Sequence, residues 1–109
     1  MNTSANAPAL DPAAMQQAAA EACELLRTLA NPDRLLLLCL LSQGEACVSE
    51  LEAQLGIRQP TLSQQLAVLR ERGLVSTRRE GRNIHYAIAS PQAMAVISVL
   101  YALYCKPPK

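Results

Sequence analysis

Ser49-Glu50-Leu51-Glu52-Ala53-Gln54-Leu55-Gly56-Ile57-Arg58-Gln59-Pro60-Thr61-Leu62-Ser63-Gln64-Gln65-Leu66-Ala67-Val68-Leu69 decides the fold of this chain. Ser49 and Glu52 have the S-x-x-E spacing of a capping box, in which each side chain satisfies a free N–H at a helix start. That predicts a helix from Ser49 carrying Leu51 and Leu55 on one face and ending at Gly56, since glycine tolerates the backbone needed just past a helix end. Gln59-Pro60 predicts a second helix with proline at its first position, where the missing N–H is no loss. Leu62, Leu66 and Leu69 recur at i, i+4 and i+7 and turn inward. Thr61, Ser63, Gln64, Gln65 and Arg70 are left for the other side. Two helices joined by a short turn, the second opening with small hydrogen-bonding residues, form a helix-turn-helix.

Downstream the period changes. Leu74, Val75 and Thr77, then Ile84, Tyr86 and Ile88, suit two half-buried strands around the polar turn Arg78-Arg79-Glu80-Gly81-Arg82-Asn83. A basic hairpin in this position is a wing, with Arg78, Arg79 and Arg82 available to phosphates or the minor groove. His85 and Tyr86, beside it, read as packed or solvated strand residues. Arg58 to Arg82 holds six of the ten Lys and Arg residues but two of the nine acids, so a local charge of +4 sits in a chain whose total is +1. Such a basic patch is the electrostatic footprint of a DNA binder. The expected contact residues are Gln59, Thr61, Ser63, Gln64, Gln65 and Arg70 on the helix-turn-helix and Arg78, Arg79 and Arg82 on the wing.

Upstream, Asp11-Pro12 predicts a first helix to about Leu29, with Met15, Ala19, Ala22, Leu26 and Leu29 on one side. Asn31-Pro32 starts a second helix to about Ser42, and Ser90-Pro91 a last one through Met94, Ile97, Leu100, Tyr101 and Tyr104. Ala93 to Cys105 contains no charged residue. A helix apolar nearly all round must be covered, and a small domain cannot cover every side of a terminal helix. A homodimer interface shared with the first helix answers this, against the plainer alternative of a helix buried within one chain. A twofold dimer would set two recognition helices about one DNA turn apart.

The 109 residues make one domain, with residues 11–106 as winged helix-turn-helix and dimerisation domain and 1–10 and 107–109 as tails, the first expected to be disordered. Phe and Trp are absent and Tyr numbers three, so the core is aliphatic and a base-stacking single-strand binder is disfavoured. No basic residue precedes Arg27, unlike a signal peptide, and the run Leu35 to Leu41 is far short of the roughly 20 residues of a membrane span. The expectation is a cytoplasmic protein without membrane contact, whose four cysteines are reduced, redox-active or metal-binding rather than a disulfide framework. One histidine, no C-x-x-C and no phosphate-binding glycine loop argue against an enzyme.

Leu29-Ala30-Asn31-Pro32-Asp33-Arg34-Leu35, Gln59-Pro60-Thr61-Leu62-Ser63-Gln64-Gln65-Leu66, Leu69-Arg70-Glu71-Arg72-Gly73-Leu74-Val75 and Arg78-Arg79-Glu80-Gly81-Arg82 resemble the ArsR (ArsR/SmtB) family over roughly residues 20 to 105. The resemblance implies a mainly α (α+β) winged helix with five helices and a hairpin wing, dimerising through its first and last helices. It also implies a repressor of double-stranded operator DNA that an inducer releases. The family's metal sites do not carry over. The C-V-C pair of its arsenic and cadmium sensors reads Cys47-Val48-Ser49 here, and the last helix lacks the Asp and His of its zinc sensors. No metal ligand set or cofactor is therefore expected. Cys39 in the second helix and Cys105 at the end of the last match the cysteine pair of the BigR/SqrR/YgaV-type and Vibrio HlyU-type members. That match implies a dithiol sensor of reactive sulfur species or oxidants, in which a disulfide or polysulfide bridge between Cys39 and Cys105 releases the operator. A metal(loid)-responsive repressor using Cys23 and Cys47 is the alternative.

Overall fold

A computed structural model describes residues 11–105; both tails expected from sequence lie outside the described residues. The elements in chain order are α1 (Pro12–Leu29), α2 (Pro32–Leu41), β1 (Ala46–Cys47), α3 (Val48–Leu55), α4 (Thr61–Glu71), β2 (Val75–Glu80), β3 (Asn83–Ile88) and α5 (Pro91–Tyr104). The five helices and hairpin are the expected winged helix. A short strand, β1, is added: it pairs antiparallel with β3, giving a three-stranded sheet of order β1-β3-β2. Two residues carry no readable alternation, so β1 left no signal of its own.

Three helix starts follow the polar-proline pattern. Asp11, Asn31 and Ser90 each accept a hydrogen bond from a backbone N–H three residues on (Ala14, 3.3 Å; Arg34, 3.0 Å; Ala93, 3.0 Å), with proline at the first helical position. Two starts differ from expectation. The cap of α3 is Cys47, not Ser49, because the chain leaves β1 directly into the helix and the Cys47 N–H donates to Glu50 Oε1 at 2.8 Å. Pro60 is the cap of α4 rather than its first residue. Gln59 satisfies the opening turn instead, its Oε1 accepting from Ser63 N (3.1 Å) and Ser63 Oγ (2.7 Å).

The core lies where α2, α3, α4 and α5 meet the sheet. Leu37, Leu38, Leu51, Leu62, Leu69, Ala93 and Ile97 have no exposed surface, and Leu66 is 1% exposed. The i, i+4, i+7 stripe of α4 is thus its inner face, and burying three leucines holds the helix by about 1.5–3 kcal/mol each. Leu74 and Val75 of the hairpin base and Ile57 of the turn close the same cluster.

Helix α1 stands apart from this core. Every residue from Asp11 to Glu24 is exposed, and of its apolar side only Leu29 is buried, while Met15 and Leu26 are 51% and 56% exposed. Helix α5 buries only Ala93 and Ile97, leaving Val99, Leu103 and Tyr104 at 57%, 63% and 80% exposure. The Cα radius of gyration is 16.9 Å, against about 13 Å for a close-packed domain of about 100 residues. None of the helices described is long and apolar enough to cross a membrane.

Candidate nucleic-acid interface and cysteine pair

The outward side of α4 presents Ser63, Gln64 and Arg70 to solvent, with Thr61 half-buried at its start. Ser63, Ala67 and Arg70 line a cleft of about 440 Å³ with Glu71 and Tyr86, which places the outer side of α4 beside the strand β3. Tyr86 packs partly on the core from this side. Gly81 makes the wing turn at φ 63°, a conformation glycine adopts without the Cβ clash other residues meet. Arg79 and Arg82 are exposed beside it.

The expected contact residues are not equivalent. Arg78 is held within the chain: its Nε and Nη2 donate to both oxygens of Glu45 at 3.0 and 2.7 Å, and Nη1 lies 3.6 Å from Glu80. This hydrogen bond from Arg78 is the main reason the Glu45 carboxyl lies below its ordinary range. The pair fastens the wing to the loop before β1. Gln65 is half-buried and accepts from Arg34 Nη1 at 2.9 Å, and Gln59 is occupied by Ser63. His85 is half-buried in the middle strand, 3.4 Å from Glu80 and opposite both Cys47 and Arg78.

Arg34 and Arg72 are the residues sequence reasoning passed over. Arg34 spans from α2 to α1 and α4, and Arg72 donates to Glu24 (3.1 Å) and to Thr28 Oγ1 (3.2 Å). Long-range partners such as these leave no trace in local spacing.

The four cysteines are free thiols. Cys23 is exposed on α1, and Cys47 is buried at the α3 cap with its Sγ 3.2 Å from Ser49 Oγ. Cys39 is half-buried on α2, and Cys105 is exposed where α5 ends. Burial pushes the Cys39 thiol above its ordinary range, and the charge of Cys105 pushes it further. Among the described residues no group of three or more His, Cys, Asp or Glu side chains could hold a metal ion.

A helix-turn-helix followed by a basic wing is the architecture of a DNA-binding transcription regulator. A family model described as "Bacterial regulatory protein, arsR family" matches residues 31–77. The biofilm growth-associated repressor of Agrobacterium fabrum is 57% identical over 94 residues, 86% of this chain and 80% of that protein. The transcriptional activator HlyU of Vibrio cholerae is 42% identical over 92 residues, covering 84% and 85%. The crystal structure of the transcriptional repressor BigR from Xylella fastidiosa superposes with a TM-score of 0.82 at 46% identity, over 90% of this chain and all of that one. The chain belongs to the arsR family; it is a transcription regulator and not an enzyme.

Proposed function

We propose that this protein is a homodimeric repressor that binds double-stranded operator DNA and releases it when Cys39 and Cys105 are oxidised or bridged by reactive sulfur. The observation that carries the DNA half is the exposed outer side of α4, which shares a cleft with Tyr86 of the wing strand. Gln59, Thr61, Ser63, Gln64 and Arg70 on the helix-turn-helix, and Arg78, Arg79 and Arg82 on the wing, are its proposed contacts. Gln65 lies at its inner edge. Gln side chains pair with adenine in the major groove and arginines with phosphates or a narrow minor groove. The repressor direction follows the two relatives named as repressors, one of them 57% identical.

The dimer rests on the uncovered faces of α1 and α5. On α1, Met15 and Leu26 are more than half exposed, and four large apolar side chains on α5 at 39% exposure or more need a cover. A second copy supplies it. The switch rests on the match of Cys39, half-buried on α2, and Cys105, exposed at the end of α5, to the cysteine pair of BigR- and HlyU-type members. Two thiols surrender two protons and two electrons as the bridge forms: an oxidant takes them when a disulfide forms, and when a polysulfide inserts one sulfane sulfur as a trisulfide, a second sulfane sulfur takes them and leaves as hydrogen sulfide. Tying α2 to the end of α5 biases how the dimer helices pack, and with them the spacing of the two recognition helices. A coupling of about 1–3 kcal/mol is typical for such devices, roughly 5–150-fold in affinity.

Selection of duplexes from a random-sequence library tests the DNA half. The expected result is a twofold-symmetric site with half-sites about one helical turn apart. Recovery of sequences without symmetry contradicts the dimeric reading, and no enrichment contradicts sequence-specific binding.

A further inference from the structure

We propose that Arg34 is a positioning residue for DNA recognition: it fixes the rotation of α4 about its own axis through Gln65, so that Gln65 orients the helix and does not read bases. The inference rests on the DNA-binding reading and goes beyond it. Arg34 lies in the first turn of α2, where its own N–H is already fixed by Asn31 at 3.0 Å. Its guanidinium then donates in two directions: Nε to the Thr28 carbonyl at 2.7 Å, and Nη1 to Gln65 Oε1 at 2.9 Å. A third N–H, on Nη2, reaches the Arg27 carbonyl at 3.4 Å. One rigid fork therefore links the end of α1, the start of α2 and the middle of α4.

Its setting favours orientation over mere adhesion. Thr28 is 3% exposed and is the one buried polar side chain among the described residues. Its Oγ1 donates to the Glu24 carbonyl (3.1 Å) and accepts from Arg72, at the far end of α4. The recognition helix is thus tied to the same turn of α1 at its middle and at its end. The leucine stripe of α4 holds the helix to the core, but apolar burial is non-directional and sets rotation weakly. A hydrogen bond sets it sharply. With side-chain tips about 6 Å from the axis, a rotation of about 20° moves Gln64 and Ser63 by about 2 Å, enough to lose a base contact. Lysine cannot replace the fork, because a single ammonium does not reach two acceptors lying in different directions with fixed geometry.

The test uses the full-length protein and a duplex that it selects from a random library, beside a scrambled duplex of the same composition. Arg34→Lys and Gln65→Leu should each lower the ratio of selected to scrambled affinity by on the order of tenfold, and the double variant by no more than either alone. Gln65→Glu keeps the acceptor for Arg34 but adds a negative charge, so it should weaken selected and scrambled duplexes alike and keep the ratio between them. Thermal melting of each variant separates this from loss of fold, since Gln65→Glu should melt no lower than the parent. A Gln65→Glu loss of about tenfold or more confined to the selected duplex would make Gln65 a DNA contact and overturn the inference. So would independent, additive effects of Arg34→Lys and Gln65→Leu, or an unchanged affinity ratio in both. Failure of the parent protein to prefer any duplex would instead overturn the DNA-binding reading itself.

Discussion

At Cys39, burial and a neighbouring thiol act in the same direction: both disfavour the thiolate. The thiolate is the nucleophile, so Cys39 should alkylate more slowly than the exposed Cys23 and Cys105 near neutral pH, with Cys47, buried at a helix cap, also slow. Mass spectrometry of a timed iodoacetamide reaction reads the order. Replacing Cys105 by Ser removes one of the two upward causes, so the Cys39 reaction should then turn on at lower pH. An unchanged profile would mean that the two sulfurs do not interact. The stability sign follows from the same shift. A thiol raised in the folded state keeps its proton where the unfolded chain has lost it, so this contribution is present below the ordinary thiol range and falls as pH rises through it. Glu45 behaves oppositely. The hydrogen bond from Arg78 holds its carboxyl below the ordinary range, so the tie between wing and β1 loop persists at neutral pH and is lost as pH falls through that lowered value.

In the proposed interface, α4 and the wing divide the work of recognition. Gln64→Ala should relax sequence preference, with a loss of discrimination of about 1–3 kcal/mol at the position it reads. Arg82→Ala should weaken binding to all duplexes alike and reduce the salt slope by about one. Titrations of both variants at several salt concentrations separate these signatures, and equal losses on every sequence for both would contradict the assignment. Much of this was legible beforehand. Leu62, Leu66 and Leu69 announce the inner face of α4, and Gly81 between runs of alternating residues announces the wing, because local periodicity and turn chemistry are properties of neighbours in sequence. The ties of Arg34, Arg72 and Arg78 to residues 31, 48 and 33 positions away were not. An arginine reads as free positive charge until its acceptor is known, and the expected wing contacts accordingly include one, Arg78, already paired within the chain. The shifted start of α3 has the same origin: β1 exists only through pairing with β3, and it places the cap at Cys47.

On the scale of the whole molecule, α1 and α5 leave apolar side chains uncovered, and the proposed dimer rests on these faces. The absence of charge from Ala93 to Cys105 already pointed there, since a uniformly apolar helix has no face suited to water. Val99 lies on the open side of α5 at 57% exposure. Val99→Glu should leave the monomer fold intact while shifting sedimentation from dimer to monomer, and should weaken binding to a two-half-site duplex far more than to a single half-site. A monomeric parent protein would overturn the dimer, and a dimer indifferent to this change would place its interface elsewhere.

The central claim is that thiol chemistry at Cys39 and Cys105 controls DNA affinity. Its most direct test is the affinity of the reduced protein for its selected duplex before and after treatment with an inorganic polysulfide, with intact masses recorded and Cys39→Ser and Cys105→Ser run alongside. The account predicts a fall of roughly 5–150-fold that requires both cysteines, together with a mass change matching a sulfur-bridged pair. An unchanged affinity, or a fall that persists in either serine variant, contradicts it.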